Sequence, residues 1–193
     1  MGLDMYIYKV KTPTDAQMKE VQKYSWEDLS DKTSLAAIAV DNFDFYPDHI
    51  NQLVPYSKKT EINRTCLRYE DIYKHYGMND REVTTVHHSK NGICFYLRTN
   101  EKEKREVFLS YEEVSKYETV IKQKVLVYEA EDVYYWRKAY DVQDYFYENF
   151  AVDNCKYVEI SVEDLENIRE CYDEDVPIPT LGEDEHLFYY EWY

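Results

Sequence analysis

The residues that come nearest to a chemical signature are His87, His88 and Cys94, two imidazoles and a thiol on either side of Asn91-Gly92. Imidazole nitrogen and thiolate sulfur are zinc ligands. With Asn91-Gly92 as a two-residue type I′ turn, Ser89 faces Cys94 and His87 faces Tyr96, which sets His87 and Cys94 diagonally on one face of a hairpin. Two ligands do not close a tetrahedral site, so Cys66, Cys155, Cys171, His75 or an acid would have to come from distant segments. A structural zinc, or a small metal-dependent hydrolase acting on a nucleotide or defence signal, is what this trio offers against the simpler reading of ordinary strand residues. Thiol catalysis needs a His beside a cysteine, a proximity that spacing in the sequence does not establish. The four cysteines include no CxxC pair and read as buried free thiols of a reducing compartment. The expectation is a protein without catalytic residues or cofactor.

Four glycines in the chain leave no room for a Gly-rich phosphate loop. Carboxylates are abundant, and the formal charge is −16. Residues 1–128 hold 20 acids and 19 bases, whereas residues 129–193 hold 19 acids and 4 bases, so the excess lies in the last third. The runs "DEDVP" and "GEDEH" fall in expected loops, where solvated charge is commoner than acid catalysis. Such a field repels nucleic acid and anionic membranes and attracts basic surfaces. Tyrosine occurs 22 times, and its apolar body and polar tip suit interfaces as well as half-buried core positions.

The elements that must position these groups read as α+β: a central, mostly antiparallel sheet with packed helices, in one domain over residues 1–193 with a strongly acidic C-terminal third, 129–193. "LDMYIYKV" alternates as a strand, and Thr14 or Asp15 caps a helix running to about Tyr24. Ser25 with Asp28 repeats the capping pattern. Strands flank Asn91-Gly92, a third covers Glu106 to Leu109, and Ser110 caps a short helix before "TVIKQKVLVYEA" returns to strand. "KYVEISV" is a strand, and Ser161 with Asp164 opens a helix that buries Leu165, Ile168 and Tyr172. The aromatic end of the chain is a last strand or a docked tail. The N-terminus alternates and carries no long apolar run, so a cytoplasmic protein without membrane anchor is expected.

"VYYWRKAYDVQDYFYENF", residues 133–150, contains eight aromatic rings and reads as a helix capped by Asp132. At 100° per residue, Trp136 and five other rings share the apolar half. Tyr134 and Tyr145 fall on the polar half beside Asp141 and Glu148, an acidic aromatic patch suited to arginine side chains.

"MGLDMYIYK", "YWRKA" with the aromatic stretch after it, then "DNC" and "SVEDLENI" resemble a family of small uncharacterised phage and prophage proteins, over roughly residues 1–9 and 133–172. Its members continue the Trp-Arg-Lys-Ala motif with Asn and, three residues later, His; here Tyr140 and Gln143 stand at those positions, so any chemistry carried by that His is absent. The resemblance implies a mobile-element setting. Joined to the charge, it leads to the expectation of an anti-CRISPR-like inhibitor of a host nucleic-acid-targeting defence. Its partner would be a basic nucleic-acid-binding host protein, a Cas effector for instance, with no direct contact to nucleic acid. The expected contacts are Tyr134, Asp141, Tyr145, Glu148, Asp173, Glu174, Asp175, Glu183, Asp184 and Glu185, acting as phosphate mimics with tyrosine anchors.

Overall fold

The structure is a computed structural model that describes residues 3–44, 46–98, 104–152, 155–172 and 174–192. In chain order its elements are β1 (Asp4–Lys11), α1 (Asp15–Val21), α2 (Trp26–Lys32), β2 (Leu35–Ala39), β3 (Lys58–Leu67), α3 (Tyr69–Tyr76), β4 (Val83–Ser89), β5 (Gly92–Arg98), β6 (Lys104–Ser110), α4 (Tyr111–Val114), β7 (Glu118–Arg137), α5 (Tyr140–Phe150), β8 (Tyr157–Ile160), α6 (Val162–Tyr172) and β9 (Glu185–Trp192). The class is α+β with mostly antiparallel pairing, as the sequence patterning led us to expect. Among the described residues no helix is long and apolar enough to cross a membrane.

The chain divides into two compact units, Met1–Ile62 with Lys122–Tyr193, and Asn63–Ile121. The sheet of the first unit has the order β2-β7-β1-β9-β8, with β3 also paired to β7. Capping follows the sequence signals: the Thr14 hydroxyl accepts from the Gln17 amide while the Gln17 side chain accepts from the Thr14 amide. Ser161 and Asp164 do the same at the start of α6. These reciprocal bonds satisfy donors that the first helical turn leaves unpaired.

Residues 133–137 are strand, not helix. β7 runs to Arg137, Lys138 takes a left-handed φ of 60°, and α5 starts only at Tyr140. The physical reason is a β-bulge: Ile7 pairs with Tyr134 but Tyr8 pairs with Asp132, leaving Val133 as the extra residue. A bulge breaks the alternation that marks a strand. With rings on both faces, the segment then resembles a helix in its pattern.

The second unit carries the three-stranded sheet β4-β5-β6, backed by Ile72, Phe95, Leu97, Leu109 and Val114. Its first hairpin turns at Lys90-Asn91, so Ser89 pairs with Gly92 and His87 directly with Cys94, two residues away from the expected register. Gly92 is required by close packing in place of a turn: a Cβ there would collide with the carbonyl oxygen of Leu109 on β6, and its φ of +154° disfavours any side chain.

Candidate functional site: the tyrosine face of the first unit

One face of the first sheet is sealed. Met5 and Ile7 of β1, Trp136 of β7 and Tyr189 of β9 pack against Val142 and Phe146 of α5 and Leu165 and Ile168 of α6. Phe146 stacks on Tyr189 with ring centroids 3.6 Å apart. Alternation along the strands sends the other side chains to the opposite face, where Leu53 packs on Val10, Tyr128 and Phe188. The rest of that face, where Asp4 pairs with both Arg137 and Trp192, presents Tyr6, Tyr135 and Tyr190. Tyr135 is 47% exposed and Trp192 57%.

The rings form a connected ladder. Tyr6 lies 5.0 Å from Tyr135, 5.7 Å from Tyr8 in a parallel stack, and 6.4 Å from Tyr190. Tyr190 lies 4.5 Å from Tyr157, whose hydroxyl meets that of Tyr128 at 3.3 Å. Offset pairs at these separations are favourable beyond their buried area. Burial pushes the Tyr128 phenol up to about 12 and raises Tyr8, Tyr157 and Tyr190 for the same reason, so these rings stay neutral at physiological pH. The Tyr135 hydroxyl donates to Asp4, a bond that also raises its phenol. At the bulge a wide-mouthed cavity of about 550 Å³ is lined by Tyr6, Asp132, Val133, Tyr134 and Tyr135. Aromatic faces beside carboxylates can hold a cation.

The residues singled out from the sequence do not form one patch. Tyr134 belongs to β7 and sets its ring edge-on to Trp136 at 4.8 Å, on the sealed side. Tyr145 packs against Phe146 and Tyr172 and donates to Asp164 at 2.7 Å. The two rings expected on the polar half of one helix therefore lie on different elements and pack against the core. Asp141 and Glu148 are exposed on α5. Glu174 accepts from the Trp136 indole at 3.2 Å, and Asp175, Glu183 and Asp184 are exposed. Glu185 accepts from the Gly182 amide at 2.8 Å and lies 3.6 Å from the Lys9 ammonium. It pairs with Lys11, at the far end of β1 from Asp4 and Trp192, about 20 Å away at 3.3 Å per residue. Asp173 lies outside the described residues.

His87 and Cys94 face each other across β4 and β5, but no group of three or more metal-ligating side chains occurs among the described residues. No disulfide joins the four cysteines, and none shows the expected burial: Cys66, Cys94 and Cys155 are half-buried and Cys171 is exposed. Glu191 escaped the sequence reading: it is fully buried on β9, accepting from Tyr189 (2.7 Å), Gln143 (3.1 Å) and Tyr147 (3.3 Å). Its signal was an acid at an inward position of "FYYEW".

Comparison with protein-family models, curated proteins and solved structures finds no match.

Proposed function

We propose that this chain is a binding protein, not an enzyme, that takes a basic protein surface on the acidic tyrosine face of its first unit. One observation carries the reading. Residues 63–121 contain ten acids and ten bases, so the whole −16 falls on the unit whose sheet face exposes Tyr135 beside the half-buried Tyr6 and Tyr190. Long-range attraction would bring a cationic surface in, and rings with neutral phenols would supply the desolvated anchors. The mobile-element setting implied by "MGLDMYIYK" and "YWRKA" points to a nucleic-acid-binding protein of host defence, such as a Cas-type nuclease, whose basic groove would be occupied in place of nucleic acid.

The test is affinity capture from the bacterial host at low salt, repeated with the Asp4→Asn, Asp132→Asn double variant. A basic nucleic-acid-binding protein should be retained, should elute as salt rises, and should be depleted with the variant. Capture of no such protein, or retention indifferent to salt and to both substitutions, overturns the reading.

A further inference from the structure

We infer that the bulge in β7 builds a receptor for a single arginine side chain, with Tyr6 and Tyr135 as its walls and Asp132 as its acceptor. This rests on the reading of the tyrosine face as a basic-partner site and names the chemistry it recognises. In a regular strand Asp132 and Tyr135, three positions apart, would point to opposite faces. The extra residue Val133 restores them to one face: Asp132 pairs with Tyr8 and Tyr135 pairs with Tyr6, whose rings are stacked neighbours. The bulge therefore brings a carboxylate and an exposed ring to the mouth of the same cavity.

The charges around that mouth favour a cation. Asp4 accepts from the Tyr135 hydroxyl and pairs in register with Arg137, which offsets it in part. Asp132 is exposed and makes no ion pair among the described residues. The Tyr6 and Tyr135 rings, 5.0 Å apart and tilted by 40°, both line the cavity. A guanidinium fits this better than an ammonium, because it is flat, weakly hydrated, able to lie on a ring, and can extend its N–H fork to a carboxylate at the same time.

The experiment is a titration of the whole protein with N-acetyl-arginine amide, read from tyrosine ring signals by NMR, with N-acetyl-lysine amide and tetramethylammonium as competing cations. Saturable shifts centred on Tyr6 and Tyr135 are expected for arginine, with lysine at least about threefold weaker. Tyr135→Ala should weaken arginine about fivefold and Asp132→Asn about threefold, while Tyr135→Phe, which keeps the ring, should stay within about twofold. Tyr96→Ala, an exposed ring of the second unit, should change nothing. Shifts that never saturate, equal binding to the Tyr135→Ala protein, or tighter binding of lysine or tetramethylammonium overturn the assignment. Partner capture with the same variants separates the two claims. Retained capture without arginine binding removes only the receptor, and arginine binding without any captured basic protein removes only the wider reading.

Discussion

The two units are built from the same strand chemistry and differ in charge and in reach. The first carries all of the −16, draws its sheet from strands far apart in the chain, and leaves tyrosines on an open face; the second is neutral and pairs three consecutive strands. Three of the five histidines, His75, His87 and His88, belong to the neutral unit, whereas the tyrosine ladder belongs to the first. The division teaches that composition averaged over the chain conceals a specialised half: the acidic character and the aromatic face belong together.

The largest effect that could break this contrast is alkaline unfolding. An unfolded tyrosine ionises near 10, whereas burial holds Tyr128 protonated to about 12 and raises Tyr8, Tyr157 and Tyr190 likewise. The folded first unit keeps protons that its unfolded chain would release, so this stabilisation is complete below pH 10 and is lost as pH climbs through the folded values. Tyr128 alone accounts for about 3 kcal/mol. All three tryptophans, Trp26, Trp136 and Trp192, lie in the first unit, so urea titrations followed by their fluorescence at about pH 9 and about pH 11.5 isolate it. An unchanged midpoint would contradict the tyrosine assignment.

Next in size is Glu191→Ala, which removes the buried acceptor shared by Gln143, Tyr147 and Tyr189 and should cost the first unit about 2–3 kcal/mol by the same fluorescence. Gly92→Ala drives a methyl group at the Leu109 carbonyl and should cost about 2 kcal/mol, read as faster amide exchange in β5 and β6 with the tryptophan transition unmoved. A shift of both units together would show that they do not unfold separately. The smallest effect is Tyr145→Phe, which removes the bond to Asp164 for about 1 kcal/mol of stability and leaves arginine binding untouched. Reduced arginine binding would return Tyr145 to the contact surface.

Much of the fold was legible because its cues are local. The Thr14–Gln17, Ser110–Glu113 and Ser161–Asp164 capping pairs sit at the helix starts they announce, and "LDMYIYKV" alternates as a strand should. Illegible were features fixed by a distant partner. The bulge at Val133 is defined against β1, so nothing within residues 133–137 distinguishes a bulged strand from an aromatic helix. The register of β4 and β5 depends on how closely β6 approaches Gly92, which moved His87 opposite Cys94. For the same reason Tyr134 and Tyr145 looked like surface rings, while Tyr6, Tyr135 and Tyr190, contributed by three separate strands, could not be seen as one face. Glu191 looked like another member of an acidic tail until β9 placed it inside.

The pairing of β1 with β9 sets the tempo of folding. Asp4 meets Trp192 and Lys11 meets Glu185, so one long edge of β1 finds its partner only after a closure spanning most of the chain. Such closures delay the pairings that would compensate their entropy, whereas β4, β5 and β6 join neighbours through short turns. Refolding of this protein is therefore expected to show a fast phase in residues 63–121 and a slow one in the sheet of the first unit, separable by pulsed amide exchange. During that interval β1 offers an unpaired, apolar and aromatic edge. The same strand that carries Tyr6 and Tyr8 in the finished molecule would be its main aggregation hazard beforehand, which the acidic charge of its own unit, repelling other copies, would offset while β9 docks.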